Sequence, residues 1–384
     1  MAKMHKLKVL IDFTQIPIQK LGVGVYGLNL VSNLNQDDNI HYYVIAQDDE
    51  NGLDEYESDN FTLIKIKSKI CRKFFARSFL EQLYLPFLAY KYDIDVIHSL
   101  HYSFPIVSTA YKVVTVHDMT FFMFPKLHLP IKTYYFRFFI GLTARMASKV
   151  ICVSEATSRD YLARYPAAFD KVHIIQHGKG KEYVPSIDAG AVSAVKEKYD
   201  IRGRYILFIG TIEPRKNIVA LVDAYRRLVE EGTTLQLVIS GKKGWHYDEV
   251  FRHVTNLGLS GKVLFTGFIE EQEKPALLAG AHVFVYPSIY EGFGLPVLEA
   301  LACGVPTVTS NVSSMPEVAG DAALLVDPTD VDELTAAIRK LIDDGDLRDE
   351  MRKKAIRRSD HFTWQGAARK TISVYKSFNT DGND

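Results

Sequence analysis

Short runs of β-branched and aromatic residues alternate along this chain with longer segments whose apolar residues recur at helical spacing. The first six runs predict strands at Val9–Phe13, His41–Ala46, Phe61–Ile66, Val96–Leu100, Lys112–His117 and Lys149–Ser154. Several of them are apolar almost throughout, which is typical of parallel strands covered on both faces. The helical spacing predicts helices at Tyr26–Leu34, Phe74–Tyr90, Ile131–Ala147 and Glu155–Tyr165. This alternation indicates the α/β class, with βαβ units and a doubly wound parallel sheet.

The alternation starts again after a polar, glycine-punctuated segment, which we interpret as a linker over residues 181–203. A second set of strands is predicted at Tyr205–Gly210, Leu235–Ser240, Val263–Gly267, His282–Pro287, Thr307–Ser310 and Ala323–Val326. The 384 residues are long enough for two cores. We therefore expect a Rossmann-like N-terminal domain over 1–180, a second one over 204–362 with a cleft between them, and a C-terminal helix within 363–384 that crosses back to the first domain.

The overall composition excludes several classes of protein. It contains 46 basic and 46 acidic side chains, and this zero net charge argues against a general nucleic-acid-binding coat. The three cysteines show no short spacing, which disfavours a disulfide framework or a cysteine zinc site and favours a reducing, cytoplasmic compartment. No run of about 18 apolar residues is present to span a bilayer, and the basic N-terminus is interrupted too early for a signal peptide.

The neutral total conceals a strongly basic stretch. Residues 65–149 contain 13 Lys and Arg against 4 Asp and Glu, and eight of the 19 residues between 121 and 139 are Phe or Tyr. Cations beside aromatic side chains suit the surface of an anionic membrane, so a peripheral position on the inner face of the membrane is one interpretation. Helices with a large core face and a solvated rim are the other, and the sequence leaves both open.

Gly22–Gly27 has the spacing G-x-G-x-x-G, followed 21 residues later by Asp48. That pattern is typical of a dinucleotide-binding turn, but there the glycines leave the first strand directly. Eight residues separate strand and glycines here, so we favour a longer glycine loop beside an anionic ligand, next to a helix N-terminus.

The segment Gly210–Asn217 leaves a buried strand and enters a helix, with Arg215 and Lys216 adjacent to each other. Open α/β sheets bind ligands at the carboxyl ends of their strands. Arginine as a two-pronged donor and lysine as a point charge suit a diphosphate at this place.

Tyr290–Glu299 is the most informative segment. Two glycines form a tight loop, Pro296 suits a first helical turn, and Glu291 and Glu299 lie on either side of that turn. The loop would direct backbone N–H groups at a phosphate or a sugar hydroxyl, and each carboxylate is a good acceptor for vicinal hydroxyls.

Taken together these segments resemble the retaining GT-B glycosyltransferases of family 4, along essentially the whole chain. The motifs are the first glycine loop, His117-Asp118, Ser154-Glu155, Gly210–Asn217, Ser240-Gly241-Lys242, the E-x7-E pair Glu291/Glu299 and Ala300–Pro306. The E-x7-E segment with its glycines is strongly specific, whereas each other motif is weak alone. The Gly210–Asn217 segment looks most like bacterial mannosyltransferases that assemble the O-antigen of lipopolysaccharide or an exopolysaccharide.

The resemblance implies a role for each matching residue of the second domain. Glu299 would bind the ribose of the donor nucleotide, Glu291 and the Gly292–Leu295 amides the sugar and distal phosphate, and Arg215 with Lys216 the diphosphate. Thr211 departs from the family, which often has an arginine there. The donor-binding set is then Gly22, Gly24, Gly210, Thr211, Gly241, Gly292, Phe293, Gly294, Leu295 and Glu299.

In the first domain, the resemblance places His117 against the transferred sugar and lets the backbone at Gly22 or Gly24 approach the diphosphate and acceptor. From the sequence alone, His117 with Asp118 also fits a structural hydrogen-bonded pair. The catalytic set is His117, Glu291, Arg215 and Lys216, with no metal and no cofactor, because the nucleotide sugar is itself a substrate.

The resulting hypothesis is a retaining hexosyltransferase without a protein nucleophile. GDP-mannose is the first donor to test, UDP-glucose and UDP-N-acetylglucosamine follow, and the acceptor is a glycan or lipid-linked saccharide bound by the N-terminal domain. Nucleotide-sugar epimerisation on the same fold, and a non-catalytic nucleotide-sugar-binding protein, are the alternatives. Nucleic acid is not expected as a partner.

Overall fold

A computed structural model describes residues 6–16, 20, 22–34 and 37–380. Its strands are β1 Leu7–Asp12, β2 Ile40–Gln47, β3 Phe61–Ile66, β4 Val96–Ser99, β5 Tyr111–Val116, β6 Lys149–Cys152, β7 Val172–Ile174, β8 Tyr205–Ile209, β9 Gln236–Ser240, β10 Val263–Gly267, β11 Val283–Tyr286, β12 Thr307–Ser310 and β13 Leu324–Val326.

The helices are α1 Val23–Leu34, α2 Ser68–Cys71, α3 Phe74–Phe79, α4 Leu85–Tyr92, α5 Thr120–Met123, α6 Pro130–Met146, α7 Glu155–Arg164, α8 Ala189–Lys198, α9 Ile218–Glu230, α10 Tyr247–Asn256, α11 Lys274–Ala279, α12 Leu295–Ala302, α13 Met315–Ala319, α14 Val331–Asp343, α15 Gly345–Ser359 and α16 Trp364–Thr380. The described residues divide into two compact units. The first comprises those up to Gly178 and from Thr363 onward, and the second runs from Lys179 to Phe362.

The first unit is built on a seven-stranded parallel sheet in the order β3-β2-β1-β4-β5-β6-β7. Strand β1 pairs with β2 on one side and β4 on the other, so the direction of winding reverses between β1 and β4. All four residues of β4 are buried, as expected for a strand covered on both faces. Strand β7 was not predicted from the sequence, because a segment of three residues is too short to show an alternating pattern.

The second unit contains a six-stranded parallel sheet in the order β10-β9-β8-β11-β12-β13, with the reversal between β8 and β11. Every residue of β8 and of β11 is buried. The predicted α/β class with two Rossmann-like parallel sheets is thus confirmed. In such a sheet, a crevice for ligands opens beyond the carboxyl ends of the two strands at the reversal.

Two segments outside the sheets have structures of their own. Within 181–203, predicted as a linker, α8 begins at the cap residue Asp188, whose carboxylate accepts the Ala191 N–H at 2.9 Å. Helix α16 belongs to the first unit, where Tyr375 is fully buried and its hydroxyl lies 2.5 Å from His98 Nδ1.

The predicted helix Phe74–Tyr90 contains a wider turn. Leu80–Tyr84 is a π-helical segment between α3 and α4. Among the described residues, no helix combines the length and the apolar character needed to cross a bilayer.

Candidate active site

The loop that follows β8 is pressed against the loop that follows β9. Gly241 has a φ of +149°, and a Cβ atom there would lie 1.8 Å from the carbonyl oxygen of Gly210. Farther along, the N–H of Ile212 donates to the carbonyl of Lys242 at 2.8 Å, and the N–H of Gly244 donates to Ile212 at 3.0 Å. A Cβ on Gly244 would also collide with the side chain of Thr211. Glycine at 241 and 244 therefore allows the two backbones to touch and fixes the path of the first loop, whereas a Cβ on Gly210 would meet the rings of Phe208 and Tyr286.

The loop after β8 places Arg215 and Lys216 beside the buried carboxylate of Glu291. Both lie in a short 3₁₀ turn before α9, and each forms an ion pair with Glu291: Arg215 Nη1 with Oε2 at 2.9 Å, and Lys216 Nζ with Oε1. The guanidinium of Arg215 also pairs with Glu213 at 2.7 Å and donates to the backbone carbonyl of Tyr290. Three residues predicted separately for the site thus form one cluster at the reversal between β8 and β11.

Neighbouring hydroxyl groups complete the shell around Glu291. Its Oε1 accepts hydrogen bonds from Ser288 Oγ at 2.6 Å and from Tyr286 Oη at 3.1 Å, in addition to Lys216. Burial alone would raise the pKa of Glu291, but the charges of Arg215 and Lys216 and the bonds from Lys216 and Ser288 lower it to about 2. The carboxylate is therefore ionised throughout the physiological range.

Lys216 is itself buried, and burial, helped by the neighbouring charge of Arg215, lowers its pKa from the ordinary value. It donates to Tyr286 Oη at 2.6 Å and to Glu291, which uses two of its three N–H groups. A buried ammonium group with a remaining donor is suited to a further anionic ligand.

The glycine loop after Glu291 is shaped by contacts on its backbone. The carbonyl of Glu291 accepts from Ser313 Oγ at 2.6 Å and Ser314 Oγ at 3.0 Å. Gly294 adopts a φ of +106° just before α12, and a Cβ there would lie 2.2 Å from Met315 Cε. Phe293 is buried beside Phe362, with the ring centroids 5.9 Å apart. Gly292–Leu295 thus enters the amino end of α12 as predicted.

Glu299 lies one turn into α12, in a second cluster. Its carboxylate is 3.9 Å from Lys274 Nζ, which is also 2.9 Å from Glu271. Burial raises the pKa of Glu299 to about 7; Lys274 opposes this shift, whereas Glu271 and Glu182 add to it. This carboxyl is therefore half protonated near neutral pH, unlike Glu291.

The raised pKa of Glu299 predicts pH-dependent donor binding. The family resemblance implies that Glu299 binds the ribose of the donor nucleotide, and a protonated carboxyl is a poorer acceptor for ribose hydroxyls. On that role we expect the KM for the nucleotide sugar to fall by up to about tenfold between pH 6 and pH 8, with little change in kcat. The Glu299→Gln variant should lose this dependence. A KM that keeps the same pH profile in Glu299→Gln would contradict the assignment.

The same shift has an effect on stability, because the folded state holds a proton that the unfolded state, with an ordinary pKa of 4.5, has released. The contribution of Glu299 to the free energy of unfolding is fully present below pH 4.5 and declines as the pH rises through about 7.

In the first unit, His117 lies after β5 among aromatic rings. Its Nε2 donates to the carbonyl of Leu100 at 2.8 Å, so this nitrogen carries the proton. Burial lowers the pKa of His117, against the opposing effects of that hydrogen bond and of Asp118. The imidazole is thus neutral, with Nδ1 left as the acceptor, and the ring of Tyr26 lies edge-on at 4.9 Å.

Asp118 forms hydrogen bonds with other residues than its neighbour His117 does. Its Oδ1 accepts from Tyr102 Oη at 2.9 Å and from the hydroxyl of Thr120 at 2.6 Å. The structural pairing that the sequence allowed for His117 and Asp118 is thus replaced by separate partners for each.

The first glycine loop leads into α1. Gly22 has a φ of +45°, and a Cβ on Gly24 would touch Lys20 and Ile16 at 3.3–3.6 Å. The third glycine, Gly27, has a packing role, since a Cβ there would lie 2.9 Å from the ring of Phe13.

Several residues of these clusters were not predicted from the sequence. They are Glu213, Tyr286, Ser288 and Ser313 around Glu291, and Glu182, Tyr183, Glu271 and Lys274 around Glu299. Of these, only Glu213 and Ser288 could have been found from the sequence, because Glu213 lies two residues before Arg215 and Ser288 lies three residues before Glu291.

Comparison with protein families assigns both halves of the chain. A model described as "Glycosyltransferase Family 4" matches residues 21–178, and one described as "Glycosyl transferases group 1" matches residues 194–358. Together they include every residue of the predicted site.

Among curated proteins, O-antigen chain mannosyltransferase B of Escherichia coli is 35% identical over 266 residues, which cover 69% of this chain and 70% of that protein. The serotype-specific mannosyltransferase WbdA of Escherichia coli is 32% identical over 60% of this chain, but the match spans only 29% of its length.

Solved structures show the same fold at lower identity. Anabaena Alr3699/HepE, in complex with UDP and glucose, superposes with a TM-score of 0.75 over 97% of this chain and all of that one, at 18% identity. WaaG, a glycosyltransferase involved in lipopolysaccharide biosynthesis, gives 0.72 over 96% and 99%, at 16% identity. With two parallel sheets, a matched family model on each half and a relative aligned over two thirds of both sequences, this chain belongs to glycosyltransferase family 4 and is a hexosyltransferase of the GT-B fold.

Proposed function

We propose that this protein transfers mannose, with retention of configuration, from GDP-mannose to a glycan or lipid-linked saccharide. The names of the curated relatives support mannose as the hexose. UDP-glucose and UDP-N-acetylglucosamine are the second candidates, and the similar structure of Alr3699/HepE, which holds UDP and glucose, supports the first of these two.

The observation that carries the proposal is the buried cluster of Arg215, Lys216 and Glu291 beside the β8–β11 reversal. Cleavage of a sugar–diphosphate bond leaves negative charge on the departing phosphate. Cations fixed in a site with little water stabilise that charge, and one such group contributes about 3–4 kcal/mol to lowering the barrier. Arg215 and Lys216 are already oriented by Glu291, so little reorganisation accompanies the reaction.

Glu291 is better suited to positioning than to covalent catalysis. Its lone pairs accept hydrogen bonds from Lys216, Ser288 and Tyr286 on one oxygen and from Arg215 on the other, and its low pKa makes it a weak nucleophile. In the step we propose, the acceptor oxygen bonds to C1 on the face from which the phosphate leaves. The C1–phosphate bond breaks, and a phosphate oxygen takes the acceptor proton. The charge on the phosphate is then met by Arg215 and Lys216, and a metal ion is not invoked.

In the first unit, His117 is the residue that we propose as a contact for the transferred sugar. With Nε2–H bonded to the Leu100 carbonyl, Nδ1 is left to accept a hydrogen bond from a hydroxyl of the transferred sugar. The fixed ring orientation would favour one sugar configuration over another.

Donor screening tests this proposal directly. We expect GDP and GDP-mannose to raise the melting temperature more than UDP, ADP or their sugars, because a ligand of the native state alone stabilises it by mass action. We further expect GDP-mannose to be turned over with the α-configuration kept in the product. A shift without turnover on any saccharide acceptor would favour the non-catalytic alternative, and a larger shift with UDP-sugars would replace the donor.

We also propose that the first unit docks on the cytoplasmic surface of an anionic membrane. Along the segment from α3 to α4, Phe75, Phe79, Leu83, Phe87 and Tyr90 recur every three or four residues, and between 54% and 88% of each side chain is exposed. A row of exposed apolar side chains within a segment of net positive charge suits the interface of a bilayer with anionic lipids.

Binding to liposomes tests this surface. The protein should sediment with vesicles that contain phosphatidylglycerol, and about 0.5 M salt should release much of it, because the electrostatic attraction is screened. Phe79→Ser with Phe87→Ser should weaken sedimentation, whereas Phe169→Ser, equally exposed outside this row, should not. Equal binding to neutral vesicles, or equal loss in both variants, would count against the proposal.

A further inference from the structure

The first unit contains a cavity that the donor chemistry does not use. Its volume is about 530 Å³, and it lies beyond the carboxyl ends of β1 and β4, where the winding of the sheet reverses. Gln15 follows β1 and His101 follows β4, and both line it. This is the place at which open α/β sheets bind ligands.

The lining of this cavity is cationic. The described residues that line it include Arg72, Arg77 and Lys132 and no aspartate or glutamate, and the first residue of α1, Val23, also faces it. The amino end of a helix adds partial positive charge to such a space. Aromatic rings, among them that of Phe136, form the rest of the wall.

The cation deepest in the wall is held by a buried network. Arg77 is 7% exposed and forms an ion pair with Glu81 at 2.8 Å, and its other terminal nitrogen is 3.3 Å from Tyr135 Oη. These contacts use two of its five N–H groups. The carboxylate of Glu81 is fully buried and also accepts from Ser103 at 2.7 Å and from Gln15 at 3.2 Å.

Glu81 lies in the π-helical segment Leu80–Tyr84. Single π turns inside α-helices occur frequently at functional sites, because they redirect side chains. Here the turn holds Glu81 where it fixes both Arg77 and Gln15 at the cavity wall, so we regard Glu81 as a positioning residue.

The other polar groups leave capacity for a ligand. Lys132 is exposed and forms no ion pair within the described part of the chain, and Arg72 pairs only with Asp49, in a half-exposed contact that a stronger anion can replace. His101 Nδ1 is buried and has no hydrogen-bond partner among the described groups. A site with more cationic donors than acceptors favours a ligand with several anionic oxygens.

We propose that this cavity binds a phosphate group carried by the acceptor, through Arg72, Arg77 and Lys132. The proposal rests on the proposed glycosyl transfer, and it specifies the class of acceptor: a phosphate or diphosphate ester next to the sugar that is extended. That group belongs either to a lipid diphosphate carrier or to a phosphorylated glycan.

The test is calorimetric titration of the full chain with inorganic diphosphate. Arg72→Gln/Lys132→Gln should raise the dissociation constant at least about tenfold, since two charge-assisted contacts are lost. Arg145→Gln/Arg159→Gln is the matched control, because it removes two exposed arginines of the same unit that do not line the cavity. Equal dissociation constants for the two double variants would overturn the proposal.

Two further experiments distinguish binding in this cavity from binding at the donor site, and a lipid diphosphate from a phosphorylated glycan. Titrations repeated in a Lys216→Ala background remove binding at the proposed donor site, so the result stands whether or not that site is correct. Farnesyl diphosphate that binds more tightly than a hexose 1-phosphate, with the difference lost in Arg72→Gln/Lys132→Gln, supports a lipid carrier. The reverse order supports a phosphorylated glycan, and no loss with either ligand contradicts the site.

Discussion

Replacing Lys216 by alanine should lower kcat/KM for the nucleotide sugar by about 10²–10³-fold. The ammonium group is buried and oriented by Glu291 and Tyr286, and in the proposed step its third N–H meets the leaving phosphate. Steady-state kinetics with the donor identified by screening measures the effect. Lys243→Ala is the matched control, because Lys243 lies on the adjacent loop with its ammonium over the ring of Tyr247, and its rates should stay near those of the parent.

A loss of activity in Lys216→Ala could also come from lost stability, because the substitution removes a partner from the buried carboxylate of Glu291. The double variant Lys216→Ala/Glu291→Gln replaces that charge by a neutral amide and should recover much of any lost stability, since an unpaired buried charge is the costly state. Turnover should not recover with it. Parent-like rates in Lys216→Ala, or rescue of activity together with stability, would refute the assigned role.

The sheets could be predicted because their strands are buried on both faces. A run such as Tyr205–Ile209 is apolar at every position, and the structure buries all five residues. Length limits this signal: three residues of β7, between polar neighbours, show no period. The π turn at Leu80–Tyr84 could not be predicted from the sequence either, because its residues fit the helical spacing that continues on both sides.

The members of the site could be predicted singly, but their pairing could not. Lys216 and Glu291 are 75 residues apart, and they meet because β8 and β11 are adjacent at the reversal of the sheet. The order of the strands in the sheet is fixed by the folded topology and cannot be read from the sequence alone. The resulting ion pairs keep Glu291 ionised and bring two cations to its carboxylate, and neither effect can be read from the spacing of the glutamates.

Glu299 shows a similar limit. Its neighbours Glu182, an acid that raises its pKa, and Tyr183, a hydrogen-bond partner that lowers it, come from the segment that the polar, glycine-rich composition assigned to a linker. Burial and neighbouring negative charge together raise its pKa, and neither is visible in the E-x7-E spacing, which treats Glu291 and Glu299 alike.

A single methyl group at Gly241 should disrupt the second unit. In Gly241→Ala the new Cβ would meet the carbonyl oxygen of Gly210 at 1.8 Å, a backbone atom that cannot move alone, and the φ of +149° is unfavourable for alanine. We expect the free energy of unfolding to fall by about 3 kcal/mol or more, measured by urea denaturation followed by circular dichroism.

The control is Gly261→Ala, where no atom lies within 4 Å of the added Cβ and φ is not positive. That change should leave stability within about 1 kcal/mol of the parent. Any Gly241→Ala protein that does fold should also bind the donor weakly, because displacement of Gly210 moves the loop that delivers Arg215 and Lys216 to Glu291. Parent-like stability and donor affinity in Gly241→Ala would show that the two loops are not in contact, and the geometry of the cation cluster would then need another support.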